Sequence, residues 1–191
     1  MCLAGVRRFL PRSTFAASTR DQAGWPEGPR GRVRGKESEH ILSKDWDHHL
    51  FRLGEDLASA YLDLGIADAA PVAGHSHCVR ISVALRQPSE NGMSTDEEFD
   101  DLIALEDDLV AQLQGADVIY VGRLTTRGSR LFYFYGTDAE LLARNASAAM
   151  QRHPAYQHEI SGRADPDWST YFDLLYPSPE TYQRMQNRRL N

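Results

Sequence analysis

From His77 to Arg86 the chain alternates, with an apolar residue at every second position from Val79 onward and mainly polar residues between them. The apolar set consists of Val79, Ile81, Val83 and Leu85. The other set consists of Cys78, Arg80, Ser82, Ala84 and Arg86. A period of two is typical of a β-strand with one buried face. The chain must therefore form a sheet whose apolar face is covered by a second layer.

After this strand the sequence predicts a helix, two strands, a second helix and a final strand. The first helix begins at the capping box Thr95-Asp96-Glu97-Glu98, and apolar residues recur at helical spacing up to Gly115. The later elements lie near residues 117–124, 130–136, 138–150 and 156–163. This order predicts a ferredoxin-like α+β fold, in which two helices cover one face of an antiparallel sheet.

Two further segments are predicted to enlarge this core. The stretches WDHHLFRLG and ASAYLDLGI are typical of strands in an added N-terminal β-hairpin that turns at Gly54-Glu55-Asp56. C-terminal helices are predicted from Asp165 as an N-cap before Pro166, and from the same signal at Ser178-Pro179. Because the strand 130–136 is apolar on both faces, we expect these segments to cover its second face.

Charge is distributed unevenly along the chain. Residues 1–43 contain eight Arg or Lys against four Asp or Glu, a net charge of +4, whereas residues 44–191 contain 13 against 23, a net charge of −10. We predict that 1–43 is a disordered Arg/Gly/Pro-rich extension and that 44–191 is a single α+β domain. Such an acidic domain favours a protein partner with a basic surface. It disfavours direct nucleic-acid binding, because phosphate contacts require clustered cations.

The cysteine content and hydropathy indicate the compartment. Cys2 and Cys78 are too few for a disulfide framework, which favours a reducing environment. No apolar run approaches the roughly 20 residues that a membrane-spanning helix requires. We therefore expect a cytoplasmic protein without membrane contact.

Four stretches of the chain, in this order, carry a family resemblance: DWDHHLFRLGEDLASAYLDL, NGMSTDEEFDDLIALEDDL, VGRLTTRGSRLFYFY and DPDWSTYFDLLYPSPETYQRMQNRR. They resemble the bacterial family Domain of Unknown Function 695 (DUF695) over roughly residues 44–191, and this family implies no catalytic residues. The last stretch, with Asp-x-x-Trp and then Leu-Tyr-Pro-Ser, is also similar to the regulator of ribonuclease E activity B. That resemblance implies an acidic, ferredoxin-like regulator that binds and inhibits a nuclease.

Glu106 lies in the middle of the apolar stripe of the first predicted helix, between Leu102 and Leu109. A carboxylate there must be paired or neutralised, because burying a lone charge costs several kcal/mol. Arg123 on the following strand is the predicted partner, and Arg130 is the second choice. The group is a structural ion pair, part of a ligand-binding pocket, or a carboxyl group with a raised pKa that takes part in chemistry.

The same helix carries a run of acidic residues, which are Asp96, Glu97, Glu98, Asp100, Asp101, Asp107 and Asp108. Acids in the first turn stabilise the helix dipole, and the outer face of a helix is usually charged, so this run needs no function. It also suits a basic partner. We predict binding residues Asp100, Asp101 and Asp108 on this helix, and an aromatic surface formed by Trp168 and Tyr171.

Metal-binding and nucleophilic motifs are weak in this sequence. His75, His77 and Cys78 are metal-ligating types, but a strand places His77 and Cys78 on opposite faces, and His48 and His49 are separated in the same way. The turn TTRGSR lacks the Gly-x-x-x-x-Gly-Lys pattern of a phosphate loop, and no Ser stands in a Gly-x-Ser-x-Gly elbow. We therefore expect no metal, no cofactor and no catalytic residue.

The sequence thus favours a non-catalytic protein-binding or regulatory module. Two alternatives stay open at this stage. The first is an enzyme or small-ligand-binding protein that uses Glu106 and Arg123, and a cavity of several hundred Å³ beside Glu106 would favour it. The second is an immunity protein that neutralises a basic toxin. The oligomeric state does not follow from the sequence.

Overall fold

The computed structural model describes residues 45–113, 115 and 117–190. Its elements are, in chain order, β1 (Trp46–Leu53), β2 (Asp56–Asp63), a 3-10 helix (Leu64–Asp68), β3 (His77–Ala84), α1 (Asp96–Leu113), β4 (Val118–Thr126), β5 (Ser129–Gly136), α2 (Ala139–Met150), β6 (His158–Ala164), a π-helix (Thr170–Leu175) and α3 (Pro179–Arg189). The extension predicted to be disordered, residues 1–43, lies outside the described residues. Within those residues, no helix is long and apolar enough to cross a membrane.

The six strands form one sheet in the order β1-β2-β4-β5-β3-β6, and every neighbouring pair is antiparallel. β1 and β2 pair over their whole length as the predicted N-terminal hairpin, which extends the sheet beside β4. The chain therefore has a mixed α/β fold built on an open antiparallel sheet.

A β-bulge in β4 changes which face its residues present. The register of β4 on β5 is Tyr120 with Phe134, Gly122 with Tyr133 and Arg123 with Phe132. The extra residue places Tyr120 and Arg123 on one face, although three positions separate them. Gly122 makes this possible, because it has a φ of +146° and a Cβ there would lie 2.5 Å from the backbone oxygen of Tyr61.

The side chains of β5 divide between two buried clusters. Phe132 and Phe134 belong to the first cluster, together with residues of α1 and α2, namely Leu102, Leu105, Leu109, Leu113, Leu142, Ala146, Ala149 and Met150. Tyr133 and Tyr135 belong to the second cluster, together with the C-terminal residues Trp168, Tyr171, Leu175 and Met185. The predicted burial of this strand on both faces is confirmed, and the C-terminal segment packs in the second cluster.

The C-terminal segment differs from the helix predicted to start directly after Asp165. Trp168 has a φ of 55°, a left-handed conformation that interrupts a helix. Helical structure begins only with the π-helix Thr170–Leu175. The Asp165 carboxylate still accepts backbone N–H groups, from Ser169 at 2.9 Å and from Thr170 at 2.9 Å. Asp165 therefore caps a turn that lies further along the chain than the prediction.

Candidate functional site

Glu106 is buried on the inner side of α1 and is held by two groups from β4. The Tyr120 hydroxyl donates to Glu106 Oε1 at 2.8 Å, and the Arg123 guanidinium donates to Glu106 Oε2. Arg123 Cζ lies 4.5 Å from the centre of the Tyr61 ring, which covers the cation from the other side. The predicted ion pair between Glu106 and Arg123 is therefore present, and it joins α1 to the sheet.

The protonation state of Tyr120 follows from this arrangement. Burial, together with the negative charge of Glu106, raises the pKa of Tyr120 well above its usual value of 10. The hydroxyl is therefore protonated at neutral pH and acts as a donor. Both oxygen atoms of Glu106 thus have a donor within the protein, the Tyr120 hydroxyl and the Arg123 guanidinium.

Arg130, the second predicted partner of Glu106, binds hydroxyl groups instead. Its Nε donates to Thr125 Oγ1 at 3.2 Å, and its Nη2 donates to Ser94 Oγ at 3.2 Å. The residue is only 3% exposed, and its Nη1 has no hydrogen-bond partner among the described residues. Burial and the neighbouring cation Arg123 lower the pKa of Arg130 to about 10. The Arg130 cation is therefore buried, and its side chain donates hydrogen bonds to hydroxyl groups and not to a carboxylate.

An open cleft of about 460 Å³ lies among the loops at one end of the sheet. Its lining residues are Arg52, Glu55, Asp56, Leu57, Glu90, Asn91, Gly92 and Arg127. Within the cleft, the Arg127 Nε donates to Asp56 Oδ2 at 2.5 Å, so the charges of these two lining residues neutralise each other. Glu106, Arg123 and Arg130 do not line this cleft. The buried ion pair and the cleft are separate features.

The outer side of α1 is strongly acidic. The helix contains eight acidic residues and no basic residue. Four of the acids pair with Arg residues of neighbouring segments: Glu98 and Asp101 bind Arg86, Glu106 binds Arg123, and Asp108 binds Arg152 and also contacts His153. Two of the predicted binding residues, Asp101 and Asp108, are therefore already engaged within the chain.

Four other acids of α1 are exposed and form no salt bridge with any residue that the structure describes. We call them the acidic face: Asp96, Glu97, Asp100 and Asp107. At about 100° per residue, Asp96, Asp100 and Asp107 lie within an arc of about 40° on the helix surface. The Phe99 ring lies beside this arc and is 45% exposed, which is unusual for a large apolar residue. Asp100, the third predicted binding residue, thus lies in an acidic patch with an apolar edge.

Trp168 and Tyr171 do not form the aromatic surface that the sequence predicts, because both side chains are fully buried. The Trp168 ring stacks on Tyr135 with a centroid distance of 4.0 Å, and its Nε1 donates to the His75 backbone oxygen at 2.8 Å. The Tyr171 hydroxyl donates to the Asp63 backbone oxygen at 2.7 Å. Their polar atoms are satisfied inside the protein, so both residues hold the C-terminal segment on the sheet.

Comparison with known protein families shows to which family this chain belongs. The sequence profile described as a family of unknown function, DUF695, matches residues 44–176. The chain belongs to the DUF695 family. The match includes the acidic face of α1 and the Glu106–Arg123 pair, and it ends before α3 begins. Searches of curated proteins and of solved structures found no match.

One buried network of this DUF695 chain was missed by the sequence analysis. Asp165 is 4% exposed, and its Oδ2 accepts the Tyr135 hydroxyl at 2.6 Å in addition to the N–H groups described above. Burial alone would raise its pKa, but the hydrogen bonds from Thr170, Tyr135 and Ser169 together lower the pKa of Asp165 to about 2. The Asp-x-x-Trp spacing was the available signal, because it brings the carboxylate and the buried indole into one segment.

Metal-ligating side chains are dispersed in the part of this DUF695 chain that the structure describes. Among the described residues, no three His, Cys, Asp or Glu side chains are grouped so that they could hold a metal ion. Burial raises the pKa of the Cys78 thiol to about 11, so it is protonated at neutral pH and a poor nucleophile.

Proposed function

We propose that this DUF695 protein is a non-catalytic protein-binding or regulatory module, and that its partner has a basic surface. The observation that carries the proposal is the acidic face of α1, four exposed carboxylates without a salt bridge among the described residues, beside the exposed ring of Phe99. Charge complementarity of this kind accelerates association and excludes acidic partners. A nucleic acid would be repelled by the same surface.

Helix stability does not account for this surface. Acids in the first turn interact favourably with the helix dipole, which explains Asp96 and Glu97. Asp107 lies three turns further along, where the dipole gives no benefit. Like charges at i,i+4, such as Asp96 with Asp100 and Glu97 with Asp101, each destabilise a helix by about 0.2–0.5 kcal/mol. A helix that retains these repulsions on its exposed side suits a partner that neutralises them.

Phe99 contributes an apolar contact, which the carboxylates of the acidic face cannot provide. Exposed charges at an interface contribute mainly to the association rate and to selectivity, whereas buried aromatic side chains contribute most of the affinity. An aromatic ring bordered by acids matches a partner that has an apolar pocket with Arg or Lys at its rim. An immunity protein against a basic toxin would use the same surface, so that alternative is a special case of this proposal.

We also infer a ferredoxin-like arrangement with α1 and α2 on one face of the sheet. The strand order β4-β5-β3-β6 supports it, as does the shared buried cluster of the two helices with Phe132 and Phe134. This arrangement, together with the resemblance of the C-terminal stretch to a ribonuclease regulator, is consistent with a regulatory role in the cytoplasm. The predicted similarity to that regulator stays a prediction.

Affinity capture with two charge-reversal variants tests the proposed function. The first variant is Asp96→Lys/Asp100→Lys/Asp107→Lys on the acidic face. The control is Glu90→Lys/Glu140→Lys/Glu180→Lys, which makes the same change in net charge at exposed acids elsewhere. From lysate of the native host, wild type and control should retain the same basic protein, and the acidic-face variant should lose it. Equal retention by both variants, with equal thermal unfolding midpoints, would contradict the proposal.

A second candidate function is the binding of a small anion, favoured by Arg130. Its buried Nη1 lacks a partner among the described residues, and the Thr95 hydroxyl nearby in sequence to Ser94 is likewise buried without one. An anion bound to the Arg130 guanidinium would satisfy Nη1. Titration with inorganic phosphate should then raise the unfolding midpoint of wild type and leave that of Arg130→Met unchanged. An equal response of the two proteins removes this candidate.

A further inference from the structure

The outer edge of β6 presents backbone groups that no described residue binds. The two backbone bonds that flank β6 are Ala84 N–H to Gln157 O at 2.9 Å and Asp165 N–H to Ser76 O at 2.8 Å. In the register of β6 on β3, these bonds mark the odd-numbered positions as those that pair inwards. The N–H and C=O groups of the even-numbered residues therefore point outwards, and these residues are His158, Ile160, Gly162 and Ala164.

The opposite edge strand of the sheet, β1, is partly covered by a side chain. On β1, Arg188 from α3 donates to the backbone oxygen of His48 at 3.3 Å and also binds Asp47. This side chain covers part of that edge, which is one of the ways in which proteins prevent strand addition. β6 has no proline and no bulge, and it is largely exposed along its seven residues. A long, regular, uncovered edge is a template for another strand.

The charges of β6 are arranged so that the strand is complementary to itself. Glu159 and Arg163 lie two positions on either side of Ser161. In an antiparallel pair centred on Ser161, Glu159 of each chain lies directly opposite Arg163 of the other. The same register sets His158 opposite Ala164 and Ile160 opposite Gly162, so all the outward backbone groups meet outward groups. Four hydrogen-bonded pairs result, each with two bonds.

The neighbouring registers lack this complementarity. A shift by one hydrogen-bonded position sets Glu159 opposite Ser161 in one direction and opposite Asp165 in the other. In the register centred on Ser161, both ion pairs occupy non-hydrogen-bonded positions, where the side chains of facing residues are closest. Both side chains are well exposed, at 73% for Glu159 and 63% for Arg163. Within the chain, Glu159 lies 3.6 Å from Arg80, and Arg163 lies 3.8 Å from Asp165 and donates to Thr170, so pairing with a second copy exchanges these contacts for the Glu159–Arg163 pairs.

We propose that β6 is a homodimerisation edge, along which a second copy of this chain pairs antiparallel about Ser161 and joins the two sheets into one. The two chains are related by a two-fold axis, so that each Glu159 binds the Arg163 of the other copy. This interface is separate from the acidic face of α1, and the inference does not depend on the proposed function.

Charge reversal at two positions tests the proposal, with sedimentation velocity of the full chain at about 1 to about 100 μM as the measurement. Wild type should form a dimer. Glu159→Arg alone and Arg163→Glu alone each set like charges opposite one another twice, so the dissociation constant should rise about tenfold or more. An equimolar mixture of the two variants should form a heterodimer, because every facing pair in it is again of opposite charge.

The mixture also controls for folding, because a misfolded variant could not recover its affinity when it meets the other. A wild-type chain that stays monomeric over the whole concentration range overturns the proposal. So do single variants that dimerise as well as wild type, and so does a mixture that stays monomeric while wild type dimerises.

Discussion

At the scale of the residue, Glu106→Gln is expected to reduce the free energy of unfolding by about 3 kcal/mol, because it leaves the Arg123 cation partly buried without a counter-charge. Replacing both residues, as Glu106→Gln/Arg123→Met, should restore part of the loss, because the buried cation is removed while the Gln side chain still accepts the Tyr120 hydroxyl. The exposed pair provides the control: Asp108→Asn should cost less than about 1 kcal/mol. Urea denaturation measures all three. A double variant less stable than Glu106→Gln alone would contradict the assignment of a structural ion pair.

The low pKa of Asp165 in the folded state predicts how the free energy of unfolding depends on pH. Its folded-state pKa of about 2 lies below the usual 3.8, so the stabilisation it contributes is present above about pH 4 and is lost as the pH falls towards 2. The size of this contribution is about 2 kcal/mol. The free energy of unfolding of wild type should exceed that of Asp165→Asn by this amount at pH 7 and by almost nothing at pH 2. Urea unfolding measures both. A difference that stays constant over this range would contradict the network.

These two carboxylates show what single residues reveal in a sequence. Glu106 could be predicted, because a charged residue inside an apolar helical stripe must be buried and must have a counter-charge. Asp165 was predicted only as a helix cap, because one of its hydroxyl donors, Tyr135, lies thirty positions earlier, and this contact depends on the tertiary structure. For the same reason, exposure of Trp168 was predicted wrongly: aromatic residues are found both in cores and at interfaces, and the sequence pattern of the segment does not separate the two.

At the scale of the element, the bulge in β4 is expected to depend on Gly122. Gly122→Ala should cost about 3 kcal/mol or more, because the new Cβ meets the backbone of β2 and the φ of +146° disfavours any other residue. Gly115→Ala is the control, since a Cβ there meets nothing within 4 Å. Thermal unfolding of both variants measures the effect. Equal midpoints for the two would contradict the role of the bulge.

Regular elements follow from local signals, whereas the irregular ones do not. The predicted starts of α1 at Asp96 and of α3 at Pro179 are confirmed, and Ser178 caps α3. The capping box predicted for α1 is wrong: the Thr95 hydroxyl has no partner among the described residues, and the Glu98 carboxylate accepts the backbone N–H groups of Arg86 and Gln87 instead. The bulge and the left-handed Trp168 were not predicted, because each is imposed by packing against distant residues. The bulge nevertheless decides the site, since without it Arg123 would face away from Glu106.

At the scale of the whole molecule, the buried polar networks stabilise the fold, and the exposed surfaces are the ones that we propose for binding. The Glu106–Arg123 pair and the Asp165 network join the helices and the C-terminal segment to the sheet, and both lie apart from the open cleft. The acidic face of α1 and the edge of β6 are the surfaces that we propose for partners. The net charge of −10 on residues 44–191 is consistent with a basic protein as the partner.

Photo-crosslinking in cells of the native host tests the acidic face most directly. A benzophenone amino acid at Phe99, which is 45% exposed, should crosslink to a protein with a basic surface. The same amino acid at Leu141 on α2, which is 48% exposed, is the matched control and should not crosslink to that protein. Equal crosslinking from both positions, or none from position 99, would contradict the claim that α1 is the binding surface.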